Sequence, residues 1–418
     1  MDRDNALQNT IQQRSGNALS MTDRLLSFFI YASIVLPTGS IFGVNVKIIS
    51  MVMLLVGLIV YGKDFILSDL IVKMLPFILF AMFEIMYSTV FLEYDKTYLI
   101  SQIKDIFVFF LMFYVCVIYA KKICGYERLI NIIVKAAFLV GIMKVAILLY
   151  SFSTGTPVSY IIKAMGKMFG TSIMSFDVES SSISRINFTS DSILFICIFY
   201  LCMKIFRGGF KKVDYLFLSV ICFSALLTMS RFQWAACGFS ILAAMCINLK
   251  KKKSFLILSL FSTISLLSLS LPSVQEMIKT RFDERIVSSS DIERILQRDA
   301  IYLAIDKSPV LGNGVGYYIP TMIRSSTAKY SYELQLQALV MQFGIIGTCF
   351  IMFMILIPLL IASKGMSILT WCSFISVISI WISGALFNPV LFSSSAGASM
   401  AAIFAIGNVY WIKKSSKT

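Results

Sequence analysis

Apolar stretches of roughly 17 to 25 residues, the length a helix needs to cross the hydrocarbon core of a bilayer, recur about twelve times along the chain with polar joints between them. The expected spans are 25–43, 46–62, 72–92, 104–120, 129–151, 189–206, 213–229, 233–249, 255–271, 335–362, 366–387 and 395–412. Most joints are short; those at 152–188 and 272–333 are long and carry amphipathic patterning. In the first, Val158, Ile161, Ile162, Met165, Met168 and Phe169 fall at helical spacing with Lys163 and Lys167 on another face. This predicts a helix lying in the interface, as a lid over a lipid-facing cleft or as a plain connector. The polar, turn-rich stretch 180–188 then leads to Asp191 at the mouth of the next span. In the second long joint, Ser290 and Glu293 form a capping box that predicts the start of a helix ended by Pro309, with Ile292, Ile295, Leu296 and Leu303 as its apolar stripe. The expected fold class is all-α: one polytopic transmembrane domain over 1–418, with a polar tail at 1–24 and short helices in the large loop.

Composition agrees. Hydrophobic residues make up 58% of the chain and charged residues 14%, and the mean hydropathy is +0.83, whereas soluble domains carry about 25% charged residues. Basic residues follow every second span: Lys63, Lys121 and Lys122, Lys211 and Lys212, Lys250 to Lys253, Lys364, and Lys413, Lys414 and Lys417, with Arg3, Arg14 and Arg24 before the first. Short loops retain lysine and arginine on the cytoplasmic side, so both termini are expected in the cytoplasm and the two long loops outside. The net charge of +15 is largely this topological signal, and with no basic soluble domain it implies no nucleic-acid partner. The polar first 22 residues and the lack of a small-residue cleavage site predict no cleavable signal peptide, the first span serving as insertion signal.

Histidine is absent, which excludes a Ser-His-Asp hydrolase and a His-ligated metal site. The nine cysteines sit in or beside spans, without disulfide or metal spacing. No metal or other cofactor is expected. Between the seventh and eighth spans, Thr228-Met229-Ser230-Arg231 leaves Arg231 at the membrane surface, where a charge snorkels to headgroups or meets an anionic ligand. Arg294 and Arg298, four apart on the loop helix, suit a diphosphate; the bland reading is a solvated face paired with Glu293 and Asp299. Gly312, Gly314 and Gly316 follow a helix and lack the strand and Lys-Ser/Thr of a phosphate-binding loop, so they read as a tight turn back toward the membrane. Within the membrane, Glu84 and Lys144 lie at similar depth and are expected to pair, stabilising the bundle.

Together these segments resemble the superfamily of O-antigen ligases and Wzy-type O-antigen polymerases. The family's Thr-x-Ser-Arg at a short outer turn is matched by Thr228, Ser230 and Arg231. Its loop-helix arginine before a Pro-x-Leu-Gly-x-Gly turn is matched by Arg294 with Pro309, Leu311, Gly312 and Gly314, and its re-entering helix by Gly344 to Gly347. Ligases of the superfamily place a His-Asn pair eleven residues before that helix's first glycine, where this chain has Glu333. The departure favours a polymerase.

The resemblance implies an enzyme of the bacterial cytoplasmic (inner) membrane that joins oligosaccharide repeat units carried on undecaprenyl diphosphate, in O-antigen (lipopolysaccharide) or capsule biosynthesis, with a chain-length regulator protein as partner. It gives Arg231 and Arg294 the donor diphosphate, with Arg281, Arg285 and Arg298 as further candidates. Glu333 is then either the base for the acceptor hydroxyl or an anchor for a sugar hydroxyl. Two other readings stand beside it: a ligase that attaches finished glycan to lipid A core, and a transporter or flippase of lipid-linked oligosaccharide.

Overall fold

The computed structural model describes residues 21, 23–36, 46–61, 64–168, 185–208, 211–248, 275, 284–325 and 328–415, and every regular element among them is helical. Helix α1 covers 23–35, α2 Val46–Tyr61, α3 Asp64–Val90, α4 Leu99–Tyr119, α5 Tyr126–Thr154, α6 Val158–Met168, α7 Leu194–Arg207, α8 Lys212–Leu227 and α9 Arg231–Cys246. After the segment holding the expected span 255–271, which lies outside the described residues, come α10 (Glu284–Ile305), α11 (Gln335–Ala362), α12 (Ile368–Ser383) and α13 (Ser394–Ser415). A helix overlies each of the other expected spans, 25–43 only as far as residue 35. Among the described residues six helices are long and apolar enough to cross a membrane: α3, α4, α5, α7 with its leading turn, α11, and α12 with its trailing turn.

Helix α7 is the axis of the bundle. Every side chain from Leu194 to Met203 is buried, enclosed by α8, α9 and α13. Helix α13 packs closely on α4 because it is rich in small residues, Ala396, Ala398, Ala401 and Ala402 among them; small side chains let backbones approach where lipid offers no hydrophobic drive for association. On the outside, Ile71, Val72, Leu75, Leu79, Met82 and Phe83 of α3 are exposed. Apolar side chains can face outward there because acyl chains solvate them as well as a protein core does.

Polar contacts mark two ends. At one, Asp23 pairs with Arg128 and accepts from Tyr119 Oη (2.5 Å), Lys122 meets Asp69 at 2.6 Å and Lys204 meets Asp214 at 3.0 Å. At the other, the joints that the basic residues assign outward come together. Tyr94 donates to the Val315 carbonyl, Tyr318 to Asp95 (2.9 Å), Ile186 N–H to Leu227 (3.0 Å) and Leu391 N–H to Gln335 Oε1 (2.8 Å). Helix α6 sits at this end with Val158 and Ile162 inward and Tyr160 and Met168 exposed; Phe169 lies outside the described residues.

Three expectations are corrected. Lys144 does not pair with Glu84: its Nζ donates to both Asp191 carboxylate oxygens, at 2.8 and 2.9 Å, and to the Ser224 carbonyl at 3.2 Å. Depth alone could not tell the two acids apart, and Glu84 faces Gly347 of α11 instead. The loop helix begins at Glu284, so Ser290 lies inside it and not at its start, and it ends at Ile305, ahead of Pro309. Its apolar stripe is also reversed: Ile292, Ile295, Leu296 and Leu303 are exposed, while Gln297, Ile301 and Ala304 face inward. Docking decides this, since Ile301 and Ala304 pack with Tyr332, Leu334, Ala338 and Met341 at the head of α11.

Candidate active site

The glycine motifs build the floor of the site. Helix α11 is broken at Gly344, whose backbone (φ 65°, ψ −176°) leaves the helical region. The break frees backbone groups that the turn after α10 satisfies: Asn313 N–H donates to Met341 (2.8 Å), Gly314 N–H to Gln342 (3.0 Å), and Ile345 N–H to Pro309 (2.9 Å). A Cβ at Gly344 would stand 2.2 Å from the Val310 carbonyl oxygen, and one at Gly312 2.3 Å from that of Gln342. Both positions also have positive φ, so only glycine permits this back-to-back contact. The two motifs, nearly thirty residues apart, are one structural unit. Buried amides lock it: Gln102 donates to Gln342 and accepts from Gly316 N–H, while Gln342 donates to the carbonyls of Tyr317 (3.0 Å) and Tyr330 (2.9 Å).

Held by this floor, Glu333 stands just before α11. Arg294 Nε donates to its Oε2 at 2.9 Å, and Arg324 pairs with its Oε1. Asp291 takes a second nitrogen of Arg294 at 3.1 Å. The side chains are 17% (Glu333), 28% (Arg294) and 26% (Arg324) exposed, so the cluster is reachable from the end of the bundle. Burial holds the Arg324 guanidinium below its ordinary pKa; Glu293 opposes that shift and neighbouring Arg294 adds to it.

The second motif forms a cap. Thr228 Oγ1 accepts from Ser230 N–H (3.3 Å), Met229 adopts a positive φ of 46°, and Ser230 Oγ accepts from Gln233 N–H (3.4 Å), which makes Ser230 the N-cap of α9 and Arg231 its first residue. The Arg231 guanidinium is half-buried and makes no hydrogen bond or ion pair to a described residue. Arg185 joins the same turn, donating through Nε to the Thr228 carbonyl at 3.0 Å. Asn187, its amide oriented to serve both neighbours, links Arg185 to Asp191 at 3.1 Å each. Gln233 donates to the Asp191 carbonyl at 2.8 Å. The buried Lys144–Asp191 pair therefore lies directly beneath the Arg185–Arg231 turn.

The segment 384–391 ties the two motifs to one end of the molecule. Phe232, next to Arg231, packs on Phe387 with ring centroids 5.8 Å apart, and Gln335, two residues after Glu333, is bonded to Leu391.

Of the residues expected in the site, Glu333 and Arg294 are brought into contact and Arg231 lies at the same end. Arg298 points elsewhere: it pairs with adjacent Asp299 on an exposed face, as the bland reading anticipated, and is 49% exposed. Arg281 and the side chain of Arg285 lie outside the described residues. Sequence reasoning passed over Arg324 and Arg185. Arg185 could have been flagged by its place before Asp191 at a span mouth; Arg324 sits in an aperiodic loop that carries no such signal.

No curated protein and no solved structure matches this chain. Residues 216–352, about a third of the chain, match the family model described as O-antigen ligase.

Proposed function

We propose that the protein is a polysaccharide polymerase, which joins oligosaccharide repeat units carried on undecaprenyl diphosphate at the outer face of the bacterial cytoplasmic membrane. The observation that carries this reading is the carboxylate of Glu333 in contact with Arg294 at the end of the bundle away from the Lys122–Asp69 and Lys204–Asp214 pairs. A chain without histidine cannot use the ligase's His-Asn pair, and a carboxylate stands in its place.

Outside the cytoplasmic membrane there is no nucleotide triphosphate, so the energy for the transfer must arrive in the donor. A glycan on a lipid diphosphate supplies it through a good leaving group, provided cationic donors neutralise the charge that develops on the departing oxygen. Arg294 and Arg231 do this, Arg231 aided by its place at the N-terminus of α9. The acceptor is a sugar hydroxyl, and Glu333 takes its proton. Arg298, turned to Asp299, contributes little.

The test is the banding of surface polysaccharide after deletion of the gene. Loss of the polymer ladder with a single repeat unit still attached is the expected result. Loss of all attached glycan would assign the ligase reaction instead, and an unchanged ladder would refute both.

A further inference from the structure

Resting on that reading, we propose that Arg324 is the second jaw of the diphosphate clamp with Arg294, and that Glu333 is the clamp's internal anion, displaced by the lipid diphosphate and only then able to take the acceptor's proton. Two guanidinium groups converge on one carboxylate from different segments, Arg294 from α10 and Arg324 from the loop after the glycine turn. Each holds a different oxygen. A carboxylate so held has both oxygens engaged, and another anion reaches the two arginines only by displacing it. The oxygens of a phosphate are spaced much like those of a carboxylate, and a lipid diphosphate offers more of them and more charge, so it can replace Glu333 between the same two guanidinium groups. The partial exposure of all three side chains leaves the exchange open from the end of the bundle.

The chemistry then follows in order. The diphosphate takes Arg294 and Arg324, and Glu333 is released beside the reacting sugar. The acceptor oxygen forms a bond to the anomeric carbon while the bond from that carbon to the diphosphate oxygen breaks. The electron pair stays on the diphosphate, facing the arginines, and the hydroxyl proton passes to Glu333. Without donor the base is masked, so proton transfer waits for the donor.

The experiment measures binding of glycan-free undecaprenyl diphosphate to the purified full-length protein, with donor KM and kcat for lipid-linked repeat units alongside. Glu333→Gln should bind the probe about tenfold more tightly, since one charge-assisted competitor is removed, and should lose kcat while donor KM falls. Arg324→Ala should bind about tenfold more weakly, with partial recovery in Arg324→Lys. If Glu333→Gln binds no better than wild type, Glu333 is a strut for the arginines and the displacement is refuted. Unchanged binding in Arg324→Ala would remove that residue from the clamp. Failure of the wild-type protein to bind the probe would overturn the donor reading itself.

Discussion

Two of the ion-pair clusters among the described residues are built in opposite ways. Lys144 and Asp191 are fully enclosed, and their remaining hydrogen-bonding capacity is spent on the Ser224 carbonyl, the Phe188 N–H and Asn187. Arg294, Arg324 and Glu333 are partly open, held to one another more than to the scaffold. A buried pair cannot be exchanged for a ligand, because removing either member strands a charge in low dielectric; an open one can. The first cluster fastens helices together under the Arg231 turn, and the second is the one proposed to meet substrate.

Substitutions should separate the two, beginning with the largest effect. Lys144→Met leaves Asp191 buried without its cation and should cost about 3–5 kcal/mol of stability, read as a large fall in membrane abundance and in thermal unfolding midpoint. Replacing both, Lys144→Met with Asp191→Leu, should restore most of it. If the single substitution is harmless, the enclosed pair is not a fastening. Glu333→Gln should leave abundance unchanged and lower turnover by roughly 10²–10⁴, the usual result of removing a general base; near wild-type turnover at saturating substrate would end that role. Arg294→Ala should lower turnover by about 10²–10³ at normal abundance, as removal of one charge-stabilising donor does, with lysine only a partial substitute because it lacks the planar fork. The smallest effect belongs to Arg298→Ala, an exposed pair worth at most about 1 kcal/mol, and its turnover should stay within a few-fold of wild type. A loss equal to that of Arg294→Ala would return Arg298 to the site.

Much of this architecture was legible because bilayer-spanning helices announce themselves by length and apolarity. The predicted span 335–362 coincides with α11, and the glycine run that the sequence predicts as a turn is one, packed against the break at Gly344. What sequence could not supply was azimuth. Glu84 and Lys144 share a depth but face different neighbours, and only packing shows that Asp191, at the head of α7, is the acid within reach. The reversed stripe of α10 has a related cause: docking on the head of α11 selects Ile301 and Ala304 as the inward face, which helical spacing alone could not tell. Arg324 was missed because a fold-back of the loop brings it to Glu333 without any periodic spacing to betray it.

The central claim is that Arg294, paired with Glu333, and Arg231, at the same end of the bundle, drive glycan transfer from a lipid diphosphate. It is tested most directly by supplying purified protein with lipid-linked repeat units and resolving the products by size. The wild-type protein should yield a ladder of polymers, and Arg294→Ala and Arg231→Ala, at matched amounts of folded protein, should yield essentially none. A full ladder from both alanine variants would contradict the account.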